Sequence, residues 1–138
     1  MHMTRYRMIL PLLLLSLPLA GCSGESEGVS LEELREKTHI HGVAFDRTDS
    51  QRIQLATHHG FHIVGADGRA RQVSGETHDF MGFSPHPKEA DTLFASGHPA
   101  HGGNLGVMVS TDGGGSWEQR SAGADGPVDF HQLTVSEA

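Results

Sequence analysis

The chain is poor in cysteine, tyrosine and positive charge. Its 138 residues include 1 Cys, 1 Tyr and 1 Trp. A lone thiol excludes an internal disulfide framework and any zinc site built on several thiolates. The 10 basic residues stand against 17 acidic ones, for a formal net charge of −7. That balance leaves no basic patch to hold a phosphate backbone, so nucleic acid is not an expected partner. Long apolar runs are missing too. The longest, residues 8–19 (MILPLLLLSLPL), is interrupted by Pro11 and Pro18. It falls short of the ~20 residues that a spanning helix needs. In excess are Gly, with 18 residues, and His, with 11. Glycine stands at nearly twice its usual ~7% share.

Arg5 and Arg7 precede the apolar run, and Leu19-Ala20-Gly21-Cys22 closes it. A positive start, a short apolar stretch and small residues at its end read as an export signal. The set resembles the lipobox of bacterial lipoproteins. The resemblance implies removal of residues 1–21, lipid on the sulfur of Cys22, and a place in the bacterial cell envelope outside the cytoplasm. Acyl chains bind a membrane with ~0.8 kcal/mol per buried CH₂, so several chains anchor firmly. Ser23, the next residue, resembles the pattern of lipoproteins sent to the outer membrane where two membranes exist. Residues 22–37 read as a lipidated tether that ends in a short helix. Ser30 and Glu33 match a capping box at the start of LEELREK.

From residue 38 onward, short apolar runs alternate with Gly, Asp, Pro and Ser clusters, the pattern of strands joined by tight turns. Strand candidates are residues 39–45, 52–57, 60–64 and 69–73, then 80–83, 92–96, 106–110 and a strand through Trp117. Residues 129–135 read as the opening strand of a third cycle. Matching Phe45 to Phe83 and Ala56 to Ala95 gives a period of about 40 residues. Four strands per period is the pattern of a β-propeller blade. The expected fold class is therefore all-β: over residues 38–138, about two four-stranded antiparallel blades plus one strand, an incomplete propeller.

Ser110, Asp112, Gly114 and Trp117 fit the spacing S-x-D-x-G-x-x-W. The physics of that spacing is local. Asp112 accepts backbone N–H groups of the turn, Gly114 takes a positive φ, and Trp117 buries apolar area beneath it. Ala66-Asp67-Gly68 occupies the matching turn of the earlier blade in a reduced form. The spacing resembles the Asp-box, or BNR repeat, of sialidase-like propellers. With HIHGVAFD, ATHHGFHIV, DFMGFSPHP, LFASGHP and GPVDFHQLTVS, the chain resembles bacterial sialidase-like propeller lipoproteins, described as glycosylhydrolases by similarity. The resemblance covers about residues 38–135. It implies four or more blades, so this chain reads as an N-terminal fragment.

The same resemblance implies, for sialidases proper, a Tyr nucleophile and an arginine triad. The only Tyr here is Tyr6, inside the export signal, and the arginines share no blade position. A glycosidase also needs two carboxyl groups across a cleft. Asp46, Asp79 and Asp129 lie near opening strands, and turn capping explains Asp46 equally well. The leading expectation is a binding or scaffold module. The alternative is a sialidase-like glycosyl hydrolase whose catalytic residues lie in further blades.

The histidines carry the binding expectation. His39 and His41 open the first inner strand, His78 precedes the second, and His131 lies in the third. His58 and His59 end the next strand of one blade and His98 that of the following blade, with His101 close by. Residues two apart on a strand face one side, so His39 and His41 can reach one ion. Neutral imidazole suits zinc or copper, and Asp79 or Asp129 can join as ligand or as orienting acceptor. His39, His41, His58, His59, His78, His98 and His131 are the metal-ligand candidates. A non-metal binding face for an unknown ligand or protein partner, or purely structural hydrogen bonds, fit the same placement. His62 and His86 read as turn or solvent-facing residues, and Met81 and Met108 as core.

Overall fold

The computed structural model describes residues 27–137. Cys22, the apolar run and most of the spacer lie outside the described residues. Among the described residues, nine strands form two antiparallel sheets. The first runs in the order β1 (Val29–Ser30), β5 (Arg69–Gln72), β4 (Gly60–Val64), β3 (Ile53–Thr57) and β2 (Ile40–Phe45). The second runs β6 (Asp79–Pro85), β7 (Leu93–His98), β8 (Val107–Ser110) and β9 (Glu118–Ser121). One helix, α1 (Leu31–Lys37), joins β1 to β2. The all-β expectation holds, and both sheets are open among the described residues.

The helix forms where the capping box places it. Ser30 Oγ accepts the Glu33 N–H, and the Glu33 carboxylate accepts the Ser30 N–H at 2.8 Å. Alone, seven residues make too short a helix for stability in water. Packing supplies the rest: Leu34 is buried with Leu55, Val64 and Ala70 on the outer face of the first sheet. Just before it, Val29 and Ser30 pair with Ala70 and Arg69. Part of the expected tether, just ahead of its closing helix, is thus a fifth strand of the first sheet.

The two sheets share one core. Ala56 and Phe61 from the first sheet meet Phe80, Leu93, Ala95 and Met108 from the second, with Leu105 and Trp117. The ring of Trp117 lies 4.8 Å from Phe80 and 5.6 Å from Phe61, centroid to centroid. Strands β2 and β6, the facing sheet edges, approach closely because Gly42 has no side chain. A Cβ there would stand 2.8 Å from the Phe83 Cβ. Met108 is core as expected, whereas Met81 is half-buried.

The repeat is more regular than like letters suggest. Ala56 opposes Gly42, and its counterpart opposing Gly82 is Ser96, not Ala95. Phe45 opposes Ile53, and its counterpart opposing Leu93 is Pro85, not Phe83. Both opening strands carry a register shift at the same place, across His41 and across Met81. The turns correspond as well. Asp46 Oδ1 accepts the N–H groups of Thr48 and Asp49, and His86 Nδ1 accepts those of Lys88 and Glu89. An imidazole therefore does in one sheet what a carboxylate does in the other, the turn role expected for both residues.

The Asp-box joins β8 to β9. Asp112 Oδ1 accepts the Ser116 N–H at 2.9 Å and the Ser110 hydroxyl at 2.8 Å. Hydrogen bonds from Ser116, first its hydroxyl and then its N–H, hold the Asp112 carboxyl down at about 2. Gly114 has φ +97°, and its carbonyl accepts the Trp117 Nε1–H at 3.2 Å.

One expected strand is absent. Residues 129–135 form no ladder with either sheet. Side chains meet their backbone instead. Ser96 Oγ accepts the Phe130 N–H at 2.9 Å, and Ser84 Oγ accepts the Val135 N–H at 3.3 Å. The segment still runs beside β6, where a Cβ on Gly82 would overlap the Phe130 carbonyl oxygen.

Candidate metal centre

Four of the seven candidate histidines gather into two groups, each completed by an aspartate. His41, His58 and Asp79 form the first, and His98, Asp129 and His131 the second. Within each group the three ligand atoms lie within 4.8 Å of one another.

The first group is assembled from three elements. His41 sits at the register shift of β2, and such bulges re-aim a side chain. His58 is in the tight turn between β3 and β4, fixed by its N–H donating to the His39 carbonyl at 2.9 Å. Asp79 opens β6. The neighbouring turn is pinned across the sheets by the Gly60 N–H, which donates to the His78 carbonyl at 2.8 Å. His58 Nδ1 lies 2.9 Å from Asp79 Oδ2, and His41 Nε2 lies 3.5 Å from Asp79 Oδ1. In tetrahedral zinc with ligands at ~2.0–2.1 Å, ligand atoms stand roughly 3.3 Å apart. His58 Nδ1 stands inside that value from one carboxylate oxygen, and His41 Nε2 stands just outside it from the other.

The carboxylate is the distinctive member. The Asp79 side chain is 14% exposed, and its Oδ1 is fully buried without a hydrogen-bond partner. An oxygen with that much negative charge and no donor is costly to bury unless a cation or proton meets it. The His58 side chain is 50% exposed, which leaves the group open to solvent.

The second group repeats the device. His98, in the place of His58, puts Nε2 at 2.9 Å from Asp129 Oδ2, and Asp129 holds the place of Asp79. The His98 pKa is raised, first by the hydrogen bond to the Gly103 carbonyl and then by the charges of Asp129 and Asp79. A cleft of about 360 Å³ lies between the groups and is lined by His58, Asp79 and His98 among others.

The remaining candidates take other partners. His39 lies beside the first group, with its ring centroid 6.4 Å from His41 and 6.2 Å from His58. His59 Nδ1 is 3.2 Å from the Thr38 hydroxyl, and its ring meets His58 edge-on at 5.0 Å. His78 packs edge-on against Phe80 and puts Nε2 3.4 Å from Glu76. The candidates form no single cluster: His41 and His58 belong to one group, and His98 and His131 to the other.

His62 differs from its expectation. It sits mid-strand in β4, 7% exposed, with Nδ1 buried and no hydrogen-bond partner. Burial lowers its pKa. Alternation puts it on the face opposite Phe61 and Ile63, the face of Val64, which packs with Leu34 of α1. Asp46 is engaged by Thr48, Asp49 and Arg52 as a turn cap.

Comparison with protein-family models, curated proteins and solved structures gives no match for this chain.

Proposed function

We propose that this chain is a metal-binding module, in which His41, His58 and Asp79 hold one divalent transition-metal ion of the zinc or copper class. The observation that carries the reading is the buried Asp79 carboxylate, whose Oδ1 has no hydrogen bond and lies 3.5 Å from His41 Nε2 while Oδ2 lies 2.9 Å from His58 Nδ1. Two imidazoles and one carboxylate suit zinc, copper or nickel better than magnesium or calcium, which prefer all-oxygen sets. Three protein ligands leave a fourth position of a tetrahedral ion free for water or an external ligand. The 50% exposure of the His58 side chain gives that ligand access.

The reading places the module in the cell envelope as a lipoprotein held to a membrane through lipid on Cys22. The lipobox-like run from Arg5 and Arg7 to Cys22 and the resemblance to sialidase-like propeller lipoproteins support that setting, while the Asp-box of Ser110, Asp112, Gly114 and Trp117 speaks for the fold alone. The ligand or protein partner would meet the His–Asp face.

The test uses the full chain in mild detergent, titrated calorimetrically with zinc and with copper. The expected result is a tight site that His58→Ala and the isosteric Asp79→Asn both weaken at least ten-fold. Unchanged affinity in both variants contradicts the assignment. The anchor is tested separately: a labelled fatty acid should enter the wild-type chain in bacterial cells and not Cys22→Ser.

A further inference from the structure

The second group differs from the first in what it connects. His98 ends β7, a central strand of the second sheet, whereas Asp129 and His131 belong to residues 126–137, which form no strand or helix. We propose that His98, Asp129 and His131 form a second, structural cation site that clips this segment to the second sheet. Its ion is of the zinc class, and it shares no ligand with the first site.

Asp129 is placed to bridge. Its Oδ2 lies 2.9 Å from His98 Nε2 and 2.7 Å from His131 Nε2. Its side chain is 12% exposed, and Oδ1 is fully buried without a hydrogen-bond partner. This repeats the orphaned oxygen of Asp79 in an independent place.

His98 is oriented for the task. Its Nδ1 lies 2.8 Å from the Gly103 carbonyl, which can only accept. The proton therefore sits on Nδ1, and Nε2 faces Asp129. Metal-bound histidines are commonly held this way, with the far nitrogen donating to a carbonyl or carboxylate. His131, 65% exposed at its side chain, closes the group from the solvent side.

The segment has use for a clip. Among the described residues its backbone is tied to the second sheet by single bonds from Phe130 to Ser96 and from Val135 to Ser84. Asn104 and Gly106 add bonds to the carbonyls of Pro127 and Val128. These are scattered bonds, not a ladder, and such segments open locally at low cost. An ion held by one residue of β7 and two of the segment adds a cross-link where the ladder is missing.

The experiment titrates the full chain with zinc chloride and follows two readouts, calorimetric stoichiometry and hydrogen exchange of peptides spanning residues 126–137. Wild type should bind two ions. At zinc about a hundred times Kd, exchange through local opening should slow by about a hundred-fold. Both His131→Ala and Asp129→Asn should bind one ion and lose that protection. His58→Ala should also bind one ion and keep it. Because His131 is largely exposed, its removal should leave the far-ultraviolet dichroism unchanged. Protection that survives in His131→Ala, or a His58→Ala chain that binds no zinc, overturns the second site. A single ion lost in His131→Ala but not in His58→Ala supports the clip and defeats the first site.

Discussion

Replacing Gly114 with alanine tests how the Asp-box turn is coupled to the shared core. Gly114 has φ +97°, and a Cβ there would overlap Cδ1 and Cε1 of Phe61. Phe61 is 0% exposed, and its ring is hemmed in by Phe83 at 5.3 Å and Trp117 at 5.6 Å. It has no free direction in which to yield. The adjacent Gly113 provides the control. Its φ is +74°, and the nearest atom to a Cβ there is Asp91 Oδ1 at 3.9 Å. Both substitutions incur the strain of a positive φ, about 1–2 kcal/mol. Both regain about 0.4–1 kcal/mol because alanine restricts the unfolded chain. Only Gly114→Ala adds overpacking, about 1–3 kcal/mol. The expected losses are therefore about 1 kcal/mol for Gly113→Ala and about 2–4 kcal/mol for Gly114→Ala. Urea unfolding, followed through the fluorescence of Trp117, separates them. With a slope of about 1–3 kcal/mol per molar urea, the midpoints should differ by roughly 1 M. Equal midpoints for the two variants would refute the claimed contact between turn and core.

Other perturbations follow from the same geometry. Trp117→Ala removes a ring packed on Phe61 and Phe80 and should cost about 3–5 kcal/mol in a thermal melt followed by circular dichroism. Gly42→Ala pushes β2 away from β6 at the Phe83 Cβ and should cost about 1–3 kcal/mol, read as a lowered urea midpoint. His62 and His98 have opposite pH signatures. Burial lowers the His62 pKa below 6.5, so the unfolded chain takes up the proton first and stability falls as pH drops below that value. His62→Leu should flatten this acid limb in urea midpoints measured from pH 7 to 5. The His98 pKa is raised above 6.5, so its contribution is full below that pH and fades as pH rises through the raised value. His98→Gln should remove stability at pH 6 and little at pH 8.

Local chemistry was the most legible part of the sequence. Ser30 with Glu33, Asp46 at its turn, and Ser110 through Trp117 each form bonds within four residues of themselves, so spacing alone specified them. What spacing could not supply was partners across the fold. Matching Phe45 to Phe83 followed residue type, whereas the register follows backbone bonding, which pairs Phe45 with Ile53 and Pro85 with Leu93. Residues 129–135 have strand composition but form no ladder, because their backbone meets serine side chains of the second sheet, and composition does not reveal that choice of partner. The histidines were legible as a set, with Asp79 and Asp129 beside them. Their division was not, because each group joins a turn or strand end of one cycle to the opening residue of the next. His62 was misread because a histidine beside glycine and aromatics looks like a turn, while the outer face of β4 that carries it also packs against α1.

The central claim is that His41, His58 and Asp79 hold a metal ion, and anomalous diffraction tests it most directly. Crystals of the full chain equilibrated with zinc should show a peak across the zinc absorption edge, within ~2.0–2.2 Å of the two imidazole nitrogens and the Asp79 carboxylate. The peak should vanish in crystals of Asp79→Asn. Zinc density elsewhere with none between these three side chains would contradict the account.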